Sequence, residues 1–137
     1  MKILGRHLIA ELAECNPTVL NNLPRLKSAL IESARKSGAT IVDSVFHQYN
    51  PQGISGIIVI AESHISLHAW PEYNYAAVDC FTCGTSVDPQ KALDFLQEAL
   101  GCKSIYVREI HRGIPSESHE LLAHKPVEAR LSSRVNI

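Results

Sequence analysis

The sequence lacks an excess of charge of one sign. Its 137 residues carry 13 lysines and arginines against 14 aspartates and glutamates, which gives a formal net charge of -1. Sequence-independent binding to nucleic acid, or to an anionic membrane surface, usually requires a basic excess. We therefore expect neither nucleic acid nor a membrane as the partner, and a small molecule or another protein instead.

Long apolar runs are also missing. Charge interrupts the opening segment 1–7 before a signal-type apolar core can form, and no later stretch reaches the length that crosses a bilayer. These absences predict a cytoplasmic protein. With 45% hydrophobic residues, a chain of this length can bury a sizeable core, so one compact domain is expected.

A second pair of cysteines spaced for metal binding is absent. Of the four cysteines, Cys80 and Cys83 form a single Cys-x-x-Cys. Such a pair indicates zinc or redox chemistry only with a second ligand pair, or with a helix that begins between the cysteines, and neither is visible. Nothing marks the chain as secreted, so all four cysteines are expected to be thiols.

The apolar pattern predicts the element order β-α-β-β-β-β-α-β. Runs rich in β-branched, aromatic or alternating apolar residues predict strands over 4–14, 40–49, 54–61, 64–70, 75–82 and 104–107. One helix is expected after Asn16-Pro17-Thr18 and before Gly38, and another between Asp88 and Gly101. Pro24 suits only an early turn of the first helix.

Short connections between neighbouring strands favour antiparallel pairing. We therefore expect an α+β fold, a two-layer α/β sandwich with a mainly antiparallel sheet and both helices on one face. The other face needs a cover, which a second copy of the chain would provide. After Gly113 the sequence turns polar and its periodicity fades, so a folded domain is expected over 1–113 and a poorly anchored tail over 114–137.

The segment 62–72 is the densest concentration of reactive side chains, and Cys83 follows it. The alternation of Ile65 and Leu67 predicts a strand rather than a helix. On a strand, three polar side chains share one face: His64, Ser66 and His68.

This polar face has three possible explanations. It could be the solvent side of a half-buried sheet, which is the simplest reading of an isolated pair of histidines. It could be a zinc site, the least favoured option, built from His64, His68, Cys80 and Cys83. It could also belong to a reactive centre around Ser63.

Ser63 follows the apolar run that ends at Ala61, so it lies where a buried strand ends and a tight turn begins. A serine hydroxyl can attack the carbonyl of the preceding residue and shift the acyl group from nitrogen to oxygen. This reaction needs a neighbour that moves protons and a donor that stabilises the oxyanion. His68 and Ser55 are candidates for these roles. A turn-capping hydroxyl is the commoner role of such a serine.

A set of motifs along most of the chain resembles a known family. The motifs are Gly5-Arg6-His7, Ser37-Gly38-Ala39-Thr40-Ile41, Phe46-His47, Ser55-Gly56, Glu62-Ser63-His64, His68-Ala69-Trp70-Pro71-Glu72-Tyr73 and Asp79 to Gly84. Together and in this order they are similar to the prokaryotic S-adenosylmethionine decarboxylase proenzyme family.

The resemblance implies self-cleavage between Glu62 and Ser63. The products would be a β chain, residues 1–62, and an α chain that starts at residue 63 with a pyruvoyl group. It implies that Ser63 attacks the Glu62 carbonyl and that Ser55 helps to hold the oxyoxazolidine intermediate. His68 would take the α-proton in the β-elimination that yields dehydroalanine, and hydrolysis would leave the pyruvoyl group.

The resemblance also implies the reaction. The pyruvoyl group would be the cofactor, with no pyridoxal phosphate and no metal, and would bind the amine of S-adenosylmethionine as a Schiff base while CO2 leaves. The product, decarboxylated S-adenosylmethionine, is the aminopropyl donor of spermidine and hence polyamine biosynthesis. Cys83 matches the proton donor to the substrate α-carbon.

Substrate binding and assembly are implied as well. Tyr49 and Trp70 would offer aromatic faces to adenine, and Glu72 would accept hydrogen bonds from ribose hydroxyls. A phenylalanine is expected at position 49, so Tyr49 departs from the pattern. The family's usual homodimer, with sites built from both subunits, agrees with an uncovered sheet face.

Two alternatives stay open. Relatives that look alike around the processing site decarboxylate arginine or ornithine, and the residues after Gly113 do not resemble the family's usual C-terminus. A chain of the same fold could also be an unprocessed binding or regulatory homologue. Against this second alternative stands the complete set of Ser55, Glu62, Ser63, His68 and Cys83.

Overall fold

The computed structural model describes residues 3–113, which form one six-stranded sheet and three α-helices. The strands are β1 (Gly5–Ala13), β2 (Thr40–Gln48), β3 (Ile54–Ala61), β4 (Ser63–Trp70), β5 (Tyr75–Cys83) and β6 (Ser104–Arg112). The helices are α1 (Pro17–Leu20), α2 (Leu23–Lys36) and α3 (Pro89–Ala99), and a 3-10 turn spans Pro71–Tyr73. The predicted tail over 114–137 lies outside the described residues.

The first predicted helix is divided into α1 and α2. The side chain of Asn16 accepts hydrogen bonds from the first turn of α1, and that of Asn22 accepts one from the N–H of Arg25 at 3.1 Å. Asn22 is extended, with φ -111° and ψ 101°, so it caps a new helix rather than continuing the old one. Pro24 lies in the first turn of α2, where its missing N–H costs no helical hydrogen bond.

All strand pairs are antiparallel, in the order β2-β3-β4-β5-β1-β6. One sheet face packs against α2 and α3, and its core includes Leu8, Leu30, Ile65, Leu67 and Leu96, all at most 2% exposed. This confirms the predicted two-layer sandwich with its helices on one face. None of the helices in the described part of the chain is long and apolar enough to cross a membrane.

β6 is longer than predicted. The apolar pattern ends at Val107, but the strand continues to Arg112 through pairing with β1, where Arg112 lies opposite Gly5. β6 is an edge strand, and edge strands tolerate charged residues that interrupt an apolar pattern.

The helix-free face of the sheet, hereafter the open face, carries most of the exposed large hydrophobic side chains of the described residues. Within residues 3–113, nine large hydrophobic side chains are exposed, and all of them except Tyr73 lie on or beside this face: Ile9, Val45, Tyr49, Ile57, Val59, Trp70, Tyr106 and Ile110. Large exposed hydrophobic side chains gathered on one face of a soluble protein often mark an interaction site.

Candidate active site

The turn between β3 and β4 presents Ser63 and the peptide bond before it. Glu62 alone separates the two strands, so the tight turn expected at Ser63 is present. The carbonyl oxygen of Glu62 accepts a hydrogen bond from the backbone N–H of Cys83 at 2.9 Å. This is the carbonyl that Ser63 would attack, and a backbone N–H aimed at its oxygen can stabilise the negative charge that develops there.

Cys83 is held beside this turn by a close approach of β1 to β5. Its side chain is buried, and Gly5 is its partner across the strands. A Cβ at Gly5 would lie 2.4 Å from the carbonyl oxygen of Thr82 and 3.3 Å from Sγ of Cys83. The missing side chain of Gly5 therefore allows the contact that fixes Cys83.

We expect Gly5→Ala to destabilise the fold by about 1–3 kcal/mol, because the added methyl group meets backbone and forces β1 away from β5. Urea denaturation followed by circular dichroism measures this change. An unfolding free energy within about 0.5 kcal/mol of wild type would contradict the close approach at this position.

At the centre of the open face, three donors converge on Asp79. His7 Nε2 lies 2.6 Å and His64 Nε2 2.8 Å from Oδ2, while the Ser66 hydroxyl donates to Oδ1. Burial alone would raise the pKa of Asp79, but the hydrogen bonds from Ser66, His64 and His7 outweigh it and hold that pKa below its usual value. Asp79 is therefore an anion at neutral pH.

The same cluster touches Ser63. Nδ1 of His64 lies 3.3 Å from Ser63 Oγ. At the other side of the cluster, the guanidinium of Arg112 stacks on Phe81 at 4.4 Å and lies 3.3 Å from Nδ1 of His7. The ligand atoms of His7, His64 and Asp79 lie within 4.8 Å of one another, a spacing at which these residues could hold a metal ion.

Ser55 and His68 form a second group. Ser55 Oγ lies 2.7 Å from Nδ1 of His68, and the hydroxyl of Tyr49 donates to Ser55 Oγ at 3.2 Å. The two residues expected to assist Ser63 are thus close to each other. They lie opposite one another on β3 and β4.

This second group is far from Ser63. His68 is five residues beyond Ser63 on β4, and at 3.3–3.4 Å per residue the two Cα atoms are roughly 17 Å apart. An imidazole side chain cannot cross that distance. The structure therefore joins Glu62, Ser63 and Cys83 at one end of β4, and Ser55 and His68 at the other.

The residues expected to bind adenine and ribose all lie at or just beyond the His68 end of β4. Trp70 stacks on Tyr75 with ring centroids 5.5 Å apart and lies 6.3 Å from the ring of His68, and Tyr49 lies against His47. Trp70 and Tyr49 thus belong to the Ser55 and His68 end. Glu72 lies in the 3-10 turn instead, where it accepts a hydrogen bond from Gln52 at 2.8 Å.

Two cavities open on this face. One of about 310 Å³ is lined by Ser55, His64, Ser66 and His68, and the other, of about 260 Å³, by His7, Glu11, His68 and Asp79. The ridge of polar side chains on β4 separates them. A small molecule could therefore enter beside His64 and His68 on the open face.

The zinc set of His64, His68, Cys80 and Cys83 is not assembled. Cys80 is fully buried between Leu8 and Ile65 on the helix-covered face, where burial raises the pKa of its thiol, whereas His64 and His68 lie on the open face. Alternation along β5 explains this outcome, because Cys80 and Asp79 point to opposite faces. None of the four cysteines forms a disulfide in the described structure.

Sequence reasoning singled out neither His7 nor Asp79 as a site residue. Both belong to motifs that resemble the family, Gly5-Arg6-His7 and Asp79 to Gly84, but no spacing rule joins residues that far apart in sequence. One feature of the sequence did point to Asp79. It is a carboxylate within the mainly apolar strand β5, and a partly buried carboxylate requires hydrogen-bond donors around it.

Fold and site define a small α+β sandwich whose reactive side chains gather on and around its helix-free sheet face. A family model described as S-adenosylmethionine decarboxylase matches residues 6–113. The chain belongs to this family.

Individual relatives from this family are similar to the chain over most of its length. The S-adenosylmethionine decarboxylase proenzyme of Thermodesulfovibrio yellowstonii is 49% identical over 125 residues, which cover 91% of this chain and 93% of that protein. That of Fervidobacterium nodosum is 46% identical over 134 residues, 96% of this chain and 98% of that protein, so this alignment reaches into the segment 114–137. The crystal structure of adenosylmethionine decarboxylase from Aquifex aeolicus superposes with a TM-score of 0.80 at 31% identity, covering 88% of this chain and 99% of that one.

Proposed function

We propose that this protein is a self-cleaving, pyruvoyl-dependent decarboxylase that converts S-adenosylmethionine to decarboxylated S-adenosylmethionine and CO2. The product is the aminopropyl donor for spermidine in polyamine biosynthesis, and the cytoplasm is the expected location. The observation that carries the proposal is the processing turn: Ser63 follows a carbonyl that already accepts the N–H of Cys83 at 2.9 Å.

Processing begins with attack of Ser63 Oγ on the carbonyl carbon of Glu62. Negative charge then develops on the oxygen that the N–H of Cys83 contacts, and Ser55 is the second proposed stabiliser of this intermediate. When the C–N bond breaks, Glu62 is joined to Ser63 by an ester. His68 then takes the α-proton of residue 63, and the Glu62 carboxylate leaves. Water hydrolyses the resulting dehydroalanine to the pyruvoyl group and releases its nitrogen as ammonia.

Residues around the turn fit such a group. The pyruvoyl ketone supplies the electron sink for loss of CO2 from the amino acid substrate. Cys83 would remain beside residue 63 after cleavage, buried against Gly5, and its thiol is the proposed proton donor to the substrate α-carbon. Trp70 and Tyr49 are the proposed adenine platforms, and Glu72 the acceptor for ribose hydroxyls.

The active form is proposed to be a homodimer in which each active site contains residues of both subunits, hereafter a composite site. His68 of one chain cannot reach Ser63 of the same chain, because about five strand residues, or roughly 17 Å, separate them. A second copy can supply the missing group. Each site would then combine Ser63 and Cys83 of one subunit with Ser55 and His68 of the partner subunit.

Two-fold symmetry supports this arrangement. In a symmetric dimer, residue i of one chain contacts residue j of the other, and j contacts i. If the axis lies between the two open faces and runs perpendicular to β4 near its middle, it exchanges the two ends of that strand. The Ser63 end of each chain then lies over the His68 end of its partner, and the exposed apolar side chains of both open faces become buried.

Neither alternative is favoured. The relatives reported above carry the name S-adenosylmethionine decarboxylase proenzyme, which supports this substrate over arginine or ornithine. The word proenzyme in those names also supports processing over an unprocessed binding homologue. Release of CO2 from arginine or ornithine, and none from S-adenosylmethionine, would overturn the choice of substrate.

The intact mass of the denatured protein tests processing without any substrate. We expect two chains, residues 1–62 and residues 63–137, with the second blocked to N-terminal sequencing because pyruvoyl carries no amine. Ser63→Ala should give one uncut chain, since no hydroxyl is left to attack Glu62. Ser28→Ala is the control, because it removes an exposed hydroxyl on α2 outside the site, and it should still be cut. A wild-type chain that stays full-length after prolonged incubation would contradict the proposed function.

A further inference from the structure

We propose that His64 is the base that takes the Ser63 proton during self-cleavage, and that Asp79 is the positioning residue that holds His64 for this step. This inference rests on the proposed function and deepens it. Its chemistry lies within one chain, whereas the proposed role of His68 requires two.

Asp79 is ionised, because the hydrogen bonds it accepts hold its pKa below the usual value. This carboxylate is mostly withdrawn from solvent and accepts hydrogen bonds from Ser66, His64 and His7. An ionised carboxylate accepts hydrogen bonds and donates none. Each histidine in contact with Asp79 must therefore carry a proton on the nitrogen that faces it, which is Nε2 in both rings.

The other nitrogen of His64 faces Ser63. In a neutral imidazole, one nitrogen carries the proton and the other carries a lone pair. Because Nε2 of His64 donates to Asp79 at 2.8 Å, the lone pair is on Nδ1. Nδ1 is the atom that lies 3.3 Å from Ser63 Oγ, so the Ser63 hydroxyl has an acceptor within hydrogen-bond distance. Catalytic hydrogen bonds are commonly somewhat long before the reacting geometry is reached.

His7 has a different environment, which supports a purely positioning role. The guanidinium of Arg112 can only donate, and it lies 3.3 Å from Nδ1 of His7. His7 is thus fixed by Arg112 on one side and by Asp79 on the other. It shares the Oδ2 atom with His64 and restrains the carboxylate that orients His64.

The proposed step is an N-to-O acyl shift, in which the Glu62 acyl group moves from the nitrogen to the hydroxyl oxygen of Ser63. Ser63 Oγ bonds to the carbonyl carbon of Glu62 while its proton moves to Nδ1 of His64. The carbonyl electron pair moves to the oxygen that the N–H of Cys83 contacts. When the pair returns, the C–N bond breaks, and His64 gives its proton to the departing nitrogen of Ser63. The products are an ester and a neutral amine, and His64 is again neutral.

Two different bases would thus serve two successive steps. His64 acts on the hydroxyl proton of Ser63 in its own chain, and the partner's His68 acts later on the α-proton. This division explains why one histidine lies beside Ser63 while the other is roughly 17 Å away along the same strand.

The test compares cleavage rates of purified, initially uncut chains by intact mass, with hydroxylamine added to detect an ester. We expect His64→Ala to slow cleavage by about 100-fold or more. His64→Asn should be equally slow, because its amide can accept a hydrogen bond but cannot hold a proton. His111→Ala, which removes a histidine at the edge strand β6, is the matched control and should be cut at the wild-type rate.

Chemical rescue separates a base from a structural residue. Added imidazole should accelerate cleavage of His64→Ala, because the ring can enter the space left by the deleted side chain. Asp79→Asn should also be slow, since the amide no longer fixes the His64 tautomer, but imidazole should not rescue it. If His64→Ala and wild type are cut at the same rate, the inference is wrong but the proposed function still holds. An uncut wild-type chain would instead overturn the proposed function.

Coexpression gives a second measurement that does not depend on the stability of a purified variant. A Ser63→Ala chain keeps its own His64 and can pair with a His64→Ala chain. We expect the His64→Ala chain to remain uncut in this mixed dimer, because His64 acts within its own chain. Cleavage of that chain at the wild-type rate would overturn the inference.

Discussion

Coexpressing Ser63→Ala and His68→Ala chains should restore self-cleavage that neither variant completes alone. A Ser63→Ala dimer has no attacking hydroxyl, and a His68→Ala dimer stops at the ester because nothing takes the α-proton. In the mixed dimer, the His68→Ala chain contributes Ser63 and Cys83, and its partner contributes Ser55 and His68. That site is complete, whereas the second site of the mixed dimer lacks both groups.

The expected yield is specific. With random pairing, half of the dimers are mixed and each has one complete site, so roughly a quarter of all sites should mature. Different affinity tags on the two chains show which one is cut, and the expected cut chain is always the His68→Ala chain. Mixing the same variants after separate purification is the control for dimer exchange. If no chain is cut in coexpressed mixed dimers, the composite site is wrong.

The fold was largely predictable because each element has its own local signal. In the two long helices, α2 and α3, apolar residues recur at helical spacing. Along a strand such as β5, more buried and less buried residues alternate. Asn22 and Pro24 are residue types that favour the start of a helix, and a new helix begins there. The sequence alone did not show it, because the capping role of Asn22 depends on its extended backbone. The end of β6 was missed because its last residues are charged and are held by pairing with β1.

The site was less predictable, since its contacts depend on strand register. Ser63 and His68 are neighbours in sequence, yet an extended strand puts them far apart, so their short spacing suggests a contact that one chain cannot make. His7 and Asp79 have the opposite relation. They are distant in sequence, and the register that pairs Ile9 with Asp79 brings the His7 side chain to the carboxylate.

We expect Cys83→Ala to be cut yet to lose most of its decarboxylase turnover. Two different atoms of this residue are assigned two different roles. The backbone N–H contacts the Glu62 carbonyl at 2.9 Å, and alanine keeps that donor. The thiol is the proposed proton donor to the substrate, and alanine removes it. Loss of a positioned acid commonly costs about 10²–10⁴-fold in rate, while processing should change far less.

Release of CO2 from carboxyl-labelled S-adenosylmethionine, normalised to the fraction of cut chain, separates the two roles. Cys80→Ala is the matched control, because this buried thiol lies on the helix-covered face and its loss should cost stability but not turnover per cut chain. A Cys83→Ala chain that stays uncut, with normal stability, would mean that the side chain itself takes part in cleavage. Full turnover per cut chain would instead require another proton donor at the substrate. Either result would contradict the proposed roles of Cys83. Those roles give its backbone N–H to self-cleavage and its thiol to decarboxylation.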